Sequence, residues 1–151
     1  MQMRKILFVC TGNTCRSPMA AYLLRDMLQK QGVSQQVLVE SAGLAAYAGD
    51  PISDHAASAL RERGIHADAH RAKPLNPLLL EQADLIYVMT EAHKQAIVQA
   101  MPETAGKIRV LHISDPYGLD ITAYRACLDE LEHILQEQLP EILSGKDGGA
   151  Q

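Results

Sequence analysis

Short apolar runs separated by segments of helical periodicity are the feature that most constrains how this chain can fold. A strand that is buried on both faces of a parallel sheet needs such a run, because neither of its faces meets water. The predicted strands are residues 5–9, 36–41, 85–89 and 108–113. Chemistry is therefore expected in the loops that follow these strands, since ligands of parallel sheets bind at the carboxyl ends of the strands.

Helices are predicted between and after the strands. Asn76 before Pro77, and Thr90 before Glu91, have the sequence of helix N-caps. The predicted helices are residues 19–31, 53–63, 77–82, 91–100 and 121–142. Strands that alternate with helices pair in parallel through right-handed crossovers. The sequence thus predicts a three-layer α/β fold, with a four-stranded parallel sheet flanked by helices on both faces. Residues 1–143 are expected to form a single domain, and residues 144–151 a flexible tail.

Composition excludes several classes of partner. The net charge is −4, and the 151 residues include no Trp and one Phe, so neither a positive field nor stacking platforms favour nucleic acid. No apolar run reaches the roughly 18 residues that span a bilayer, and no membrane partner is expected. Three cysteines do not suit a disulfide framework. We expect a cytoplasmic protein that is a monomer or a weak dimer.

The loop after the first predicted strand, residues 10–17, is suited to binding a phosphate group. Ser17 is predicted as a helix N-cap and Pro18 as the first helical residue, so the loop ends where free backbone N–H groups and the helix dipole favour an anion. Gly12 and Asn13 can take positive φ, which lets successive N–H groups converge into an anion-binding nest. Arg16 adds a planar fork of donors for phosphate oxygens.

Cys10 is the candidate nucleophile of this loop. A neighbouring arginine and a helix N-terminus both favour the thiolate over the thiol. Attack on a bound phosphoryl group would give a phosphocysteine intermediate. A buried structural cysteine and a metal or redox pair with Cys15 are the alternatives, but further ligands at short spacing are missing. No metal and no cofactor are expected.

At this point the sequence resembles a known family. The segment Cys-Thr-Gly-Asn-Thr-Cys-Arg-Ser-Pro at residues 10–18 is similar to the signature of the low-molecular-weight protein tyrosine phosphatases, and especially to the bacterial protein arginine phosphatases within that family. Further motifs occur in the family's order at residues 41–43, 70–74, 84–90 and 115–118. The resemblance covers about residues 3–143 and implies hydrolysis of phosphotyrosine on protein substrates, with phosphoarginine as the alternative.

The resemblance also implies roles for individual residues. Asp115 precedes Pro116 after the fourth predicted strand; Asp-Pro alone is more often a simple turn, whereas the family places its general acid there. Ser41 and His70 would hold Asn13 in a left-handed conformation and keep the loop preformed.

The remaining residues of the expected site concern the substrate and the phosphate group. Tyr47 and Tyr117 fall where the family places the walls of its substrate cleft. Thr11 and Gly118 resemble the arginine phosphatase branch. The other residues expected in the phosphate-binding loop are Gly12, Asn13, Thr14, Cys15 and Ser17.

Arsenate reduction and phosphoprotein binding without catalysis are the two alternative functions. Arsenate reductases on this scaffold relay electrons through further cysteines in the middle of the chain, and residues 16–126 contain none. A phosphoprotein-binding module would need neither Cys10 nor Asp115. Cys15 lies five positions from Cys10, so a reversible Cys10–Cys15 disulfide is expected to protect the nucleophile from overoxidation.

Overall fold

The structure is a computed structural model and describes residues 3–144. The strands are β1 (Arg4–Cys10), β2 (Val37–Gly43), β3 (Leu85–Val88) and β4 (Ile108–Val110). The helices are α1 (Arg16–Lys30), α2 (Asp54–Arg61), α3 (Pro77–Gln82), α4 (Glu91–Ala100) and α5 (Ile121–Leu143). Two short 3₁₀ helices, Ser34–Gln36 and Pro102–Lys107, were not predicted from the sequence. Apart from Ser144, the expected tail lies outside the described residues.

The four strands form one parallel sheet in the order β2-β1-β3-β4. β1 is central, and its Phe8 is in register with Ser41 on β2 and with Tyr87 on β3. The predicted four-stranded parallel sheet is confirmed. The loops that follow β1, β2 and β4 therefore meet at one edge of the sheet.

Two apolar clusters pack on opposite faces of the sheet and make up the core. Ile6, Phe8 and Cys10 of β1 face the larger cluster, which includes residues of α1, α2 and α5. Leu7 and Val9 face the smaller cluster, which includes residues of α3 and α4. Because side chains alternate across a strand, the continuous apolar run of β1 buries both of its faces. The three predicted layers are present, and Cys10 ends β1 on the face covered by α1 and α5.

Strand boundaries differ from the prediction by two or more residues at the ends of β2 and β4, and by at most one residue elsewhere. β2 continues to Gly43, two residues beyond the predicted end. β4 ends at Val110 rather than Ile113, although the backbone N–H groups of Leu111 and Ile113 still donate to the carbonyls of Val88 and Met89. His112 has φ 58°, a left-handed conformation that breaks the extended run.

Helices begin at the predicted residue where the predicted N-cap side chain makes its hydrogen bond. Asn76 accepts from the N–H of Leu79, and Thr90 accepts from the N–H of His93, so α3 and α4 begin where predicted. α1 begins at Arg16, three residues before its predicted start, and α2 is shorter than residues 53–63. None of the helices within residues 3–144 has the length and apolar character that crossing a bilayer requires.

The carboxyl end of β2 packs directly against the loop that follows β1. The N–H groups of Leu44 and Ala45 donate to the carbonyls of Cys10 and Thr11, at 2.9 Å each. A Cβ atom on Gly43 would lie 2.6 Å from the Thr11 carbonyl oxygen and 3.0 Å from the Asn13 nitrogen. Both neighbours are backbone atoms, so only glycine fits between the strand end and the loop.

We predict that Gly43→Ala lowers the free energy of unfolding by about 1–3 kcal/mol, the usual cost of overpacking. Urea unfolding measures the change. Gly106→Ala is the matched control, because its added Cβ would meet no atom within 4 Å. Equal stability of the two variants would contradict the close packing described for Gly43.

Candidate active site

The loop between β1 and α1 lines a cavity of about 210 Å³ at the carboxyl edge of the sheet. Its lining also includes Asp115 and Tyr117 from the segment between β4 and α5. The lining residues are Cys10, Thr11, Gly12, Thr14, Cys15, Arg16, Asp115 and Tyr117. The structure thus brings together the three residues predicted to carry the chemistry, which are Cys10, Arg16 and Asp115.

Ser17 contacts Cys10 instead of capping α1. The N-cap is Cys15, which makes no side-chain capping hydrogen bond, so the prediction that Ser17 caps the helix and Pro18 begins it was wrong. The Ser17 hydroxyl is fully buried and lies 2.9 Å from the Cys10 sulfur. Since Ser17 Oγ accepts a hydrogen bond from Asn13 Nδ2, its own hydrogen is free to donate to the sulfur. A thiolate at Cys10 is stabilised by this donor.

Asn13 holds the shape of the loop. It is fully buried and has φ 57°, one of the two left-handed non-glycine residues in the described chain. Its Nδ2 donates to Ser17 Oγ at 2.8 Å and to Ser41 Oγ at 2.9 Å, and its Oδ1 accepts from the Lys73 backbone N–H at 2.9 Å. Its carbonyl oxygen accepts from His70 Nε2 at 2.7 Å. The hydrogen bonds expected from Ser41 and His70 are present, and the Lys73 backbone is a partner that the sequence did not reveal.

Gly12 does not have the positive φ that was expected of it; in this part of the loop only Asn13 does. A Cβ atom on Gly12 would come no closer than 3.7 Å to the Thr14 hydroxyl, which is ordinary contact. The loop reverses its direction through one left-handed residue. Asn13 can take that conformation because its side-chain amide makes hydrogen bonds with both its nitrogen and its oxygen.

Arg16 connects the loop to the segment that carries Asp115. Its side chain is almost fully buried, and its Nη1 donates to the Ile113 carbonyl at 3.0 Å. Its Nη2 lies 3.6 Å from Asp115 Oδ2, and about half of the Asp115 side chain is exposed. Asp115 also accepts from the Tyr117 backbone N–H at 3.1 Å. A guanidinium and a carboxylate therefore face the same small cavity as the Cys10 sulfur.

The two tyrosines predicted as cleft walls are placed differently. Tyr117 is 76% exposed and lines the cavity, whereas Tyr47 is 77% exposed and is not among the lining residues. Gly118 has φ 83°, with open space around the position of a Cβ atom. The backbone conformation alone accounts for a glycine at this position. Gly118 is therefore not an independent indication of substrate preference.

His93 is a site residue that the sequence analysis missed. Its Nε2 lies 2.9 Å from Thr11 Oγ1, although the two residues are 82 positions apart. The ring is buried, and its Nδ1 has no hydrogen-bond partner among residues 3–144. Burial lowers the pKa of His93 and the Arg16 charge lowers it further, while Asp115 acts in the opposite direction. The N-cap at Thr90, which places the first turn of α4 at this edge of the sheet, is the signal that could have pointed to it.

The other cysteines near the loop are buried thiols. Burial raises the pKa of Cys15 and of Cys127 to about 12, so both stay protonated near neutral pH. Within the described part of the chain, no three His, Cys, Asp or Glu side chains are grouped so that they could hold a metal ion. The ionisable groups on the cavity are those of Cys10, Cys15, Arg16, Asp115 and Tyr117.

Fold and site together define a cysteine-containing protein phosphatase. A sequence model of the family described as "low molecular weight phosphotyrosine protein phosphatase" matches residues 5–146. Because this match spans almost the whole chain, the protein belongs to that family, and the resemblance seen in the sequence motifs is confirmed.

Individual relatives include arginine and tyrosine phosphatases. The chain is 44% identical to a protein-arginine-phosphatase of Geobacillus stearothermophilus, over 92% of this chain and 95% of that protein. It is 39% identical to a probable low molecular weight protein-tyrosine-phosphatase, EpsP, of Ralstonia nicotianae, over 92% and 96%. Among solved structures, a YwlE arginine phosphatase mutant with a phosphorylated active-site serine matches with a TM-score of 0.86 and 37% identity, over 95% of this chain and 98% of that one.

We predict that Asn13→Ala is less stable than Asn13→Gly by about 1 kcal/mol. Both variants lose the same side-chain hydrogen bonds, but only alanine resists the left-handed backbone, whereas glycine adopts it freely. Urea unfolding of the two variants measures the difference. An alanine variant as stable as the glycine variant would show that the loop does not need φ 57° at this position.

We predict that peroxide inactivates the protein reversibly, and that a thiol reductant restores activity through reduction of a Cys10–Cys15 disulfide. Cys15→Ser should lose activity irreversibly under the same treatment, because Cys10 then oxidises further. Cys127→Ser is the control and should recover like the wild type. Irreversible loss in the wild type would contradict the disulfide.

Proposed function

We propose that this phosphatase uses Cys10 as its nucleophile and hydrolyses phosphorylated side chains of proteins through a phosphocysteine intermediate. The observation that carries the proposal is that the Cys10 sulfur, the Arg16 guanidinium and the Asp115 carboxylate line one cavity at the N-terminus of α1. These three side chains can therefore act on one phosphoryl group as nucleophile, anion-binding group and acid, and no helix or strand has to move.

Binding of the phosphoryl group is the first step of the proposed mechanism. The first turn of α1 offers backbone N–H groups that have no acceptor within the helix, and the dipole of α1 favours an anion there. The phosphate-binding loop consists of Cys10 with Thr11, Gly12, Asn13, Thr14, Cys15, Arg16 and Ser17. Arg16 lies 3.6 Å from Asp115 in the free protein and can bind phosphoryl oxygens through the same guanidinium.

Two displacements at phosphorus follow. The Cys10 thiolate attacks phosphorus, an S–P bond forms, and the bond to the side chain breaks as Asp115 transfers a proton to the leaving group. Asp115 then removes a proton from water, which attacks phosphorus and releases inorganic phosphate and the Cys10 thiolate. Ser17 stabilises that thiolate, and the Asn13 contacts with Ser41 and His70 keep the loop in its binding shape.

Phosphoarginine is the substrate that the site favours. Thr11 lines the cavity, and its hydroxyl group is bonded to His93. A hydroxyl can accept an N–H group of the phosphorylated guanidine, whereas the phenyl ring of phosphotyrosine has no donor to offer. The 44% identity with a protein-arginine-phosphatase supports the same choice. Phosphotyrosine is the second candidate, supported by the exposed ring of Tyr117 at the cavity and by the family's name.

Partners and location follow from this chemistry. The proposed partners are phosphorylated proteins, bound by a phosphatase domain of residues 1–143 that acts as a monomer or a weak dimer. A thiolate nucleophile needs a reducing compartment, and we propose the cytoplasm.

The proposal predicts a kcat/KM at least about tenfold higher on a phosphoarginine peptide than on a phosphotyrosine peptide of the same flanking sequence, a factor that one hydrogen bond can supply. Assays contain a reductant and no metal, and Cys10→Ser is the blank. Thr11→Ile should reverse the preference, whereas Thr11→Ser, which keeps the hydroxyl, should retain it.

A preference of the wild type for phosphotyrosine would establish the second candidate substrate. Activity no higher than that of Cys10→Ser on both peptides would contradict the proposed phosphatase function.

A further inference from the structure

His93 contacts the phosphate-binding loop through the side chain of Thr11. It stands in the first turn of α4, where its backbone N–H donates to Thr90 Oγ1 at 3.2 Å. His93 is 6% exposed, and its Nε2 lies 2.9 Å from Thr11 Oγ1. Thr11, which follows Cys10 in the chain, is thus hydrogen-bonded to α4, a helix on the opposite face of the sheet from α1.

The ring is neutral near neutral pH. Burial opposes its protonation, and so does the Arg16 charge, while Asp115 favours it. A neutral imidazole carries one N–H group, on Nδ1 or on Nε2, and the other nitrogen is an acceptor. The direction of the contact with Thr11 therefore depends on which nitrogen carries the hydrogen.

The surroundings of Nδ1 decide between the two tautomers. Nδ1 is buried and has no partner within residues 3–144. A hydrogen on Nδ1 would be a buried donor without an acceptor, which proteins avoid more strictly than an unused lone pair. The hydrogen is therefore on Nε2, and His93 donates to the Thr11 oxygen.

This direction determines what Thr11 presents to a substrate. Its oxygen uses one lone pair for His93 and keeps a second lone pair together with the hydroxyl hydrogen. The hydrogen can donate to a phosphoryl oxygen, while the free lone pair can accept an N–H group of a guanidine. In the other tautomer, the hydroxyl hydrogen would be taken up by His93, and Thr11 could not donate to phosphate.

We propose that His93 is a positioning residue that orients the Thr11 hydroxyl, and that it thereby contributes to discrimination between phosphoarginine and phosphotyrosine. The inference rests on the proposed function, since it assumes that the cavity takes a phosphorylated side chain. It assigns His93 no direct contact with the substrate.

The first test compares His93→Leu with His93→Gln. Leucine fills the site without a hydrogen bond, whereas the glutamine amide can place a donor near the position of Nε2. The ratio of kcat/KM on phosphoarginine to kcat/KM on phosphotyrosine peptides should fall about tenfold in His93→Leu, as expected for one lost hydrogen bond. His93→Gln should recover at least part of the ratio. An equal loss on both peptides, with the ratio unchanged, would overturn the proposal.

A double-mutant cycle provides a second readout. If His93 acts through the Thr11 hydroxyl, Thr11→Val should lower the ratio by itself, and adding His93→Leu should lower it little further. Fully additive losses would overturn the proposal. If His93→Leu does not fold, the cycle is built with His93→Gln instead. The ratio that His93→Gln retains should then be lost when Thr11→Val is added, because the glutamine acts only through the Thr11 hydroxyl.

The tautomer itself is measured without any substrate. Nitrogen NMR of the wild-type protein labelled at histidine should show the His93 hydrogen on Nε2, and a hydrogen on Nδ1 would overturn the inference. Because this measurement needs no activity, a protein that shows the expected tautomer but hydrolyses neither peptide would contradict the proposed function alone.

Discussion

The active-site loop depends on one left-handed residue that is held from four sides. Asn13 turns the chain between the end of β1 and the start of α1, and its hydrogen bonds reach α1, β2 and the segment before α3. The conformation costs a residue of this kind about 1–2 kcal/mol, which the surrounding contacts must offset. Ser17 is bound by Asn13 and lies against Cys10, so the bond that shapes the loop also orients the donor to the nucleophile.

Arg16 makes the same kind of connection on the other side of the cavity. One nitrogen is bonded to the Ile113 carbonyl, and another faces Asp115, only two residues further along the chain. The phosphate-binding loop and the segment that carries the acid are therefore joined by a single buried side chain. A protein with a net charge of −4 can bind an anion here because the positive charge is local and about half of the side chain of its partner Asp115 is exposed to solvent.

Much of the fold could be predicted because its signals are local. The apolar run of β1 needs burial on both faces, and the caps at Asn76 and Thr90 use their side chains as predicted. The start of α1 could not be predicted in this way. Ser17 forms hydrogen bonds with Asn13 and Cys10 instead of capping the helix, and the N-cap residue is Cys15. The early end of β4 follows from the left-handed His112, a conformation that a histidine signals only weakly because most histidines do not adopt it. The contact between Thr11 and His93 joins distant segments, so it appears only when the sheet is assembled.

The central claim is that the phosphoryl group passes through Cys10, and trapping the intermediate tests it most directly. Asp115→Asn, mixed with p-nitrophenyl phosphate and quenched rapidly, should accumulate the intermediate, because an acidic leaving group needs no proton donor whereas the attacking water needs the missing base. Mass spectrometry of the quenched protein is predicted to find one phosphoryl group, located on Cys10 and absent when Cys10→Ala is added. A phosphoryl group on another residue, or product released in a burst with no covalent phosphate on the protein, would contradict the account.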